Sequence, residues 1–158
     1  MEARTWPDPA VGSLLAAHYR GVKFDLARPH DDFAEGTATV KVVWAPTFVV
    51  DDVRGRELRR WTGWLPPEEF VAELKLPLAM DHLHHKRIDA GIPILAGILA
   101  DTPDAPAAAE ALHFLGIFEF LAGKRDMDAL RSRWNELRER FPESRFARHS
   151  EVIDDVPV

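Results

Sequence analysis

The densest cluster of reactive side chains in the sequence is Asp81-His82-Leu83-His84-His85. On a helix, His82 and His85 stand three apart and Asp81 and His85 four apart, so each pair shares a face and could hold a metal ion. A site made from Asp81, His82 and His85 would still need a ligand from elsewhere, and no His-Glu-x-x-His spacing is present. The competing account is a polar face near a helix C-terminus, where a protonated imidazole suits the dipole. That account is preferred. No metal and no cofactor is expected, and a His-based metal-binding protein is the last of the alternatives.

Other chemistry is thinner. The chain has no cysteine, which removes disulfides, thiolate metal sites, cysteine nucleophiles and dithiol redox steps from these residues. His113, between Leu112 and Phe114, reads as a core histidine. Ser13, Ser132, Ser144 and Ser150 lack a nucleophile-elbow context, and no glycine-rich phosphate loop occurs. Glu68-Glu69 resembles a carboxylate pair, but a helix N-terminus explains both residues. Arg131, Arg133 and Arg138 alternate with Glu136 and Glu139 on what reads as a solvated helix face. A net charge of −6 over 158 residues gives no basic face for nucleic acid. The longest apolar run, Ile92 to Ala100, contains Pro93 and Gly97 and is too short for a bilayer that needs about 20 residues. No membrane partner is expected. With no basic-then-apolar leader after Met1, the expected location is cytoplasmic.

Asp8 before Pro9, followed by Val11, Leu14, Leu15 and His18, predicts a helix over 9–18. Gly21–Leu26 alternates apolar and polar residues and predicts a short strand. A short helix is expected at Asp31–Glu35. Val40–Val43 leads to Trp44-Ala45-Pro46-Thr47 and the β-branched, aromatic strand Phe48–Val50. Asp51–Arg56, with Gly55, reads as a hairpin turn. Glu57–Thr62 is the returning strand, and Pro67 opens a helix with Glu68 and Glu69 in its first turn.

Trp44-Ala45-Pro46-Thr47-Phe48-Val49-Val50-Asp51, then Gly55-Arg56-Glu57, then Arg60-Trp61-Thr62-Gly63-Trp64-Leu65-Pro66-Pro67-Glu68-Glu69-Phe70, resembles the C-terminal two-thirds of a thioredoxin-like domain. The resemblance covers roughly residues 5–76. It implies a mixed sheet, a cis peptide bond before Pro46, and main-chain groups beside Pro46 that pair with an extended substrate. The sequence departs from that family at its start, because the first core strand and the Cys-x-x-Cys helix are missing. Without that strand, two rows of backbone groups lack partners. Three arrangements would resolve this: a true start upstream of Met1, a strand supplied by another chain or a swapped segment, or a sheet rearranged to recruit Thr37–Val43.

Pro77 reads as a boundary or a kink, and all that follows reads as helix. Helices are expected over Leu78–His85, Asp89–Ala100, Ala107–Ala122 with Gly123 as C-cap, Met127–Phe141 with Leu130, Trp134 and Leu137 inward, and Pro142 to about Val152. Lys86-Arg87-Ile88-Asp89-Ala90 and Lys124-Arg125-Asp126-Met127-Asp128-Ala129 begin an internal repeat. Asp89 aligns with Asp128, Leu95 with Trp134 and Ile98 with Leu137. Leu112, Leu115-Gly116, Gly123, Ala129 and Pro142 resemble a tetratricopeptide repeat, which implies close helix packing at Gly116. The expected organisation is a truncated thioredoxin-like α/β domain over 1–76, an all-α tetratricopeptide-like region over 77–153, and a frayed tail over 154–158.

Together these readings favour a non-catalytic module that binds a protein or peptide. Trp44, Ala45, Pro46, Thr47 and Trp64 are its candidate ligand-binding residues, and a homo-oligomer would complete the sheet. Trp44, Trp61 and Trp64 are weighed against plain core packing. The enzyme alternative, also from the resemblance, is a truncated thiol-disulfide oxidoreductase whose Cys-x-x-Cys lies upstream of Met1.

Overall fold

The computed structural model describes residue 1, residues 4–24, residue 42 and residues 44–156. It divides into two compact units, Met1–Val71 and Ala72–Val158. No helix among the described residues is long and apolar enough to cross a membrane.

In the first unit, α1 runs over Pro9–His18. The Asp8 carboxylate caps it, accepting from the Ala10 and Val11 amides at 2.8 and 3.4 Å, and Pro9 fills the first helical position, where a missing N–H costs nothing. Strands β1 (Thr47–Asp51) and β2 (Glu57–Thr62) form a two-stranded antiparallel sheet. Thr47 faces Thr62, Phe48 faces Trp61, Val49 faces Arg60 and Val50 faces Arg59. Asp51 then faces Glu57, so Leu58 is a bulge residue on β2. Asp52 holds the connecting turn by accepting from the Arg54 and Arg56 amides at 2.8 and 2.9 Å, and Gly55 sits at φ +76°.

Of the expected strand Gly21–Leu26, residues 21–24 have no strand conformation, and Asp25 and Leu26 lie outside the described residues. The sheet among the described residues is antiparallel. The expected helix at Asp31–Glu35 lies outside the described residues, as does the Thr37–Val43 strand except for Val42, which has no regular structure.

Helix α2 spans Pro67–His84 and runs unbroken through Pro77. Proline inside a helix forfeits one ladder bond and costs about 3 kcal/mol in an exposed case. Here Leu76, Pro77 and Ala79 are all buried, so apolar burial offsets that loss, and Pro77 is neither a break nor a unit boundary. Beyond it come α3 (Ile88–Asp101), α4 (Pro106–Ala122), α5 (Met127–Arg140) and α6 (Arg145–Ser150), closed by a 3-10 turn over Glu151–Asp155.

Helix α4 buries apolar residues on two faces because it serves two cores. Ala107, Ala111, Leu115 and Phe118 pack with Ala72, Leu76 and Ala79 of α2 and Leu95 and Ile98 of α3. Ala109 and Leu112 pack with Leu130, Trp134 and Leu137 of α5 and with Ile153. The aligned pairs Leu95 and Trp134, and Ile98 and Leu137, are all buried. A Cβ at Gly91 would lie 2.1 Å from the Phe118 ring, and one at Gly116 would lie 3.0 Å from the Trp134 ring. Each glycine therefore admits an aromatic side chain from a neighbouring helix. Arg133, expected to point outward, instead clamps α5 to α4 through a bidentate pair with Glu119 at 2.8 and 2.9 Å. Asp154, expected in a frayed tail, accepts from Arg138 at 2.7 Å, and the Val156 carbonyl accepts from Arg131 at 2.7 Å.

The repeated Lys-Arg dipeptide marks a repeated turn. The Arg87 amide donates to the His82 carbonyl at 2.8 Å and the Arg125 amide to the Phe120 carbonyl at 2.7 Å. This is the six-to-one bond of a Schellman ending. Lys86 (φ +58°) is left-handed in one turn, and Lys124 (φ +57°) and Arg125 (φ +74°) are left-handed in the other. Gly123 is the C-cap at an ordinary φ of −76°; its lack of a Cβ relieves contact with Asp126, 2.9 Å from where that atom would stand. Left-handed lysine carries a cost that glycine does not. Lys124→Gly is expected to stabilise the chain by about 0.5–1 kcal/mol in urea unfolding.

His113 is 8% exposed. Its ring stacks on Trp134 at 5.0 Å and 5°, and its Nδ1 has no hydrogen-bond partner. Burial, aided by the nearby His149, lowers its pKa from 6.5 to about 4. The folded state thus binds this proton less well than the unfolded state. Its stability contribution is complete above about pH 6.5 and is lost as the pH falls from there toward 4. Between about pH 7 and pH 5 the wild type should lose about 2 kcal/mol more than His113→Phe, measured by urea unfolding at each pH.

Candidate functional site

The candidate residues lie where the chain enters β1. Residues 44–46 form a bend, and the Ala45–Pro46 peptide bond is cis, as the resemblance implies. The Thr47 hydroxyl donates to the Trp44 carbonyl. That uses its only proton, so the Thr62 hydroxyl is the donor in the 3.1 Å contact between the two threonines. On the far side Gly63, at φ +103°, donates its amide to the Pro46 carbonyl at 2.8 Å.

That last bond sets the phase of the ladder. Along an antiparallel strand, main-chain groups face the partner at alternate residues. The Pro46 carbonyl faces β2 at one end of β1, and the Asp52 amide faces β2 at the other, donating to the Arg56 carbonyl at 2.9 Å. Phe48 and Val50 therefore pair with β2, while the main-chain groups of Thr47, Val49 and Asp51 point to the opposite edge. No strand among the described residues pairs with that edge.

Of the three tryptophans, Trp61 belongs to the core. Its ring stacks on Phe48 at 4.9 Å and meets Phe70 edge-on at 5.4 Å. Trp6 closes the same cluster against Phe48 at 6.1 Å and Phe70 at 5.5 Å. Trp44 is 71% exposed and Trp64 45% exposed. Trp64 is nevertheless anchored. Its indole N–H donates to the Thr5 hydroxyl at 3.0 Å, and that hydroxyl donates to the Leu65 carbonyl at 3.0 Å. Thr5 is fully buried. Sequence reading missed Thr5 and Trp6, which support the site from about 60 residues away. Their only signal was a polar-aromatic pair just before the α1 cap.

The histidine run does not assemble into a metal site. Asp81 accepts from Arg87 at 2.8 Å and lies 3.2 Å from His85 Nδ1, while the His85 ring also contacts the Asp81 carbonyl at 2.9 Å. Among the described residues, no group of three or more His, Cys, Asp or Glu side chains is placed to hold an ion. His113 is taken up in the α4–α5 packing described above.

Comparison with family models, curated proteins and solved structures finds no match to this chain. The site is therefore read on its geometry alone: a main-chain edge that no strand among the described residues pairs with, an exposed indole at its entry and a second, anchored indole on the segment that leaves β2.

Replacing Thr5 with valine keeps the volume but removes both hydrogen bonds. Thr5→Val is expected to cost about 1–2 kcal/mol in thermal or urea unfolding. It should also sharpen the Trp64 fluorine resonance in 5-fluorotryptophan-labelled protein, with that line assigned through Trp64→Phe.

Proposed function

We propose that this chain is a non-catalytic protein- or peptide-binding module on a degenerate thioredoxin-like scaffold, carrying a tetratricopeptide-like helical region. The observation that carries the proposal is the edge of β1 that no strand among the described residues pairs with, beside the exposed Trp44 and Trp64. An extended peptide has its own unpaired N–H and C=O groups, and an exposed strand edge answers them without regard to sequence. Selectivity must then come from side chains. Indoles supply large contact area with few torsions to freeze, which makes Trp44 and Trp64 the natural anchors. Thr47 supplies the first outward-facing main-chain groups, and Pro46 and Ala45 form the bend that presents them.

No thiol is present to act on a bound peptide, so the reading is one of holding rather than converting. The helical region repeats one helix-ending turn and one pattern of buried residues, an arrangement typical of modules that stack to make interaction surfaces.

The test starts from random peptides displayed on phage and selected on the full chain. Selected peptides, synthesised and titrated, should be extended and rich in apolar or β-branched residues. Trp44→Ala and Trp64→Ala should each weaken their binding by roughly tenfold or more while leaving the circular dichroism spectrum unchanged. Binders indifferent to both substitutions would sink the reading.

A further inference from the structure

We infer that α6 is an acid-released strap: protonation of His113 lifts α6 off α4, while the 3-10 turn that follows stays fastened to α5. The inference concerns the helical unit alone and does not rest on the peptide reading.

His113 belongs to α4 and is buried where three helices meet. Trp134 of α5 stacks on its ring at 5.0 Å, and Phe146 and His149 of α6 approach it at 5.5 and 6.3 Å. Its Nδ1 is enclosed and has no hydrogen-bond partner. A neutral imidazole fills such a place as any aromatic ring would. An imidazolium carries an N–H on both nitrogens, and its buried charge calls for water or an acceptor. Protonation is therefore incompatible with the closed packing of this ring.

The charges around the ring do not relieve it. Glu110 lies one turn earlier on α4, Arg133 and Glu136 flank Trp134 on α5, and α6 brings Arg145, Arg148 and His149. Arg133 is held by Glu119 and Glu136, and Arg145 lies over the Phe146 ring at 4.6 Å. The group whose charge acts on His113 is His149, and it opposes protonation. Helix α6 reads Arg-Phe-Ala-Arg-His-Ser, with no acidic residue. In acid it meets a positive ring with positive charge only.

Of the two helices that cover His113, α6 is the weaker partner. Helix α5 buries Leu130, Trp134 and Leu137 and is clamped to α4 by the Arg133–Glu119 pair. Helix α6 has six residues and buries Ala147 and Ser150. Beside its start, a groove of about 480 Å³ runs between Ala105, Pro106 and Ala109 on one side and Phe141, Ser144 and Phe146 on the other. Phe146 thus touches His113 and also walls an open groove, so α6 has room to move.

The end of the chain is fastened separately. Arg138 donates to Asp154 at 2.7 and 3.2 Å, Arg131 donates to the Val156 carbonyl at 2.7 Å, and Ile153 is buried. The Arg138 hydrogen bond holds the Asp154 carboxyl below its usual range, so this fastening survives mild acid. Helix α6 swings on it rather than leaving, and uncovers Ala109 and Leu112. Because the closed form holds the His113 proton less well than the open form, closure is complete above about pH 6.5 and weakens as the pH falls from there toward 4.

Amide hydrogen exchange on the full chain tests this, with protection factors corrected for intrinsic exchange. From pH 7 to pH 5, protection over residues 146–150 should fall roughly twentyfold, while the amides of α4 and α5 change less than about threefold. In His113→Phe, which keeps the aromatic packing and removes the titration, the α6 amides should also change less than about threefold. Equal loss over α4, α5 and α6, no loss over α6, or the full loss in His113→Phe would overturn the inference. If His113→Phe does not fold, the wild-type chain decides alone. Its His113 imidazole, followed by NMR, should titrate over the pH range in which α6 loses protection, and a ring that titrates under a protected α6 sinks the strap.

Discussion

A two-stranded hairpin is at best marginally stable in water on its own, so the whole first unit depends on the aromatic cluster that holds β1 and β2. Phe48 and Trp61 stack across the strands, and Trp6 and Phe70 close on them from the N-terminal turn and the start of α2. A buried aromatic side chain removes about 150–250 Å² from water, or roughly 4–6 kcal/mol at about 25 cal/mol per Å². Against this stands the Trp61 indole N–H, buried without an acceptor, at a cost of about 1–3 kcal/mol. Ring burial wins, which is why the orphan donor is tolerated. The cluster also fixes the site, because the residues that hold Phe48 in place hold Thr47 beside it.

The helical unit is organised by a different constraint, the distance at which two helices can approach. Gly91 and Gly116 each make room for an aromatic side chain, and the large residues that fill those gaps, Phe118 and Trp134, are buried. The Arg133–Glu119 pair spans the α4–α5 contact with good geometry. Both side chains remain partly exposed, so the pair orients the helices more than it stabilises them. Burial draws the Glu136 carboxyl upward, but hydrogen bonds from Arg140 and Arg133 outweigh it and hold its pKa below the usual value. The Glu136 carboxylate thus stays ionised at neutral pH.

Local signals in the sequence read well. The Asp8 cap and Pro9 give α1 its observed limits, β2 falls on Glu57–Thr62, and the inward residues of α5 are the expected Leu130, Trp134 and Leu137. What failed to read was tertiary. Pro77 looks like a boundary until its burial is known. Gly123 is the C-cap, as its sequence position suggests, but which residues after it turn left-handed depends on the Schellman bond from Arg125. At the site, the sequence singled out Trp44, Trp61 and Trp64 together but could not sort them. Strand alternation explains the sorting only once the register is known, since it puts Trp61 opposite Phe48 on the core face. Thr5 was invisible because its importance lies in a contact about 60 residues away in the chain.

A main-chain edge without a partner strand attracts any extended segment, and no strand among the described residues pairs with the outer edge of β1. The bend over residues 44–46 ends β1 on one side, and the Asp52 turn folds the chain away at the other. Five residues remain, enough for one short strand and too few for the long flat pairing that seeds aggregates. Hydrogen bonds to such an edge contribute little net free energy, because water offers the same bonds to the separated strands. Selectivity is then set by the side chains around the edge. Trp64 is already held by Thr5, so it is the indole that meets a peptide with the least motion left to freeze.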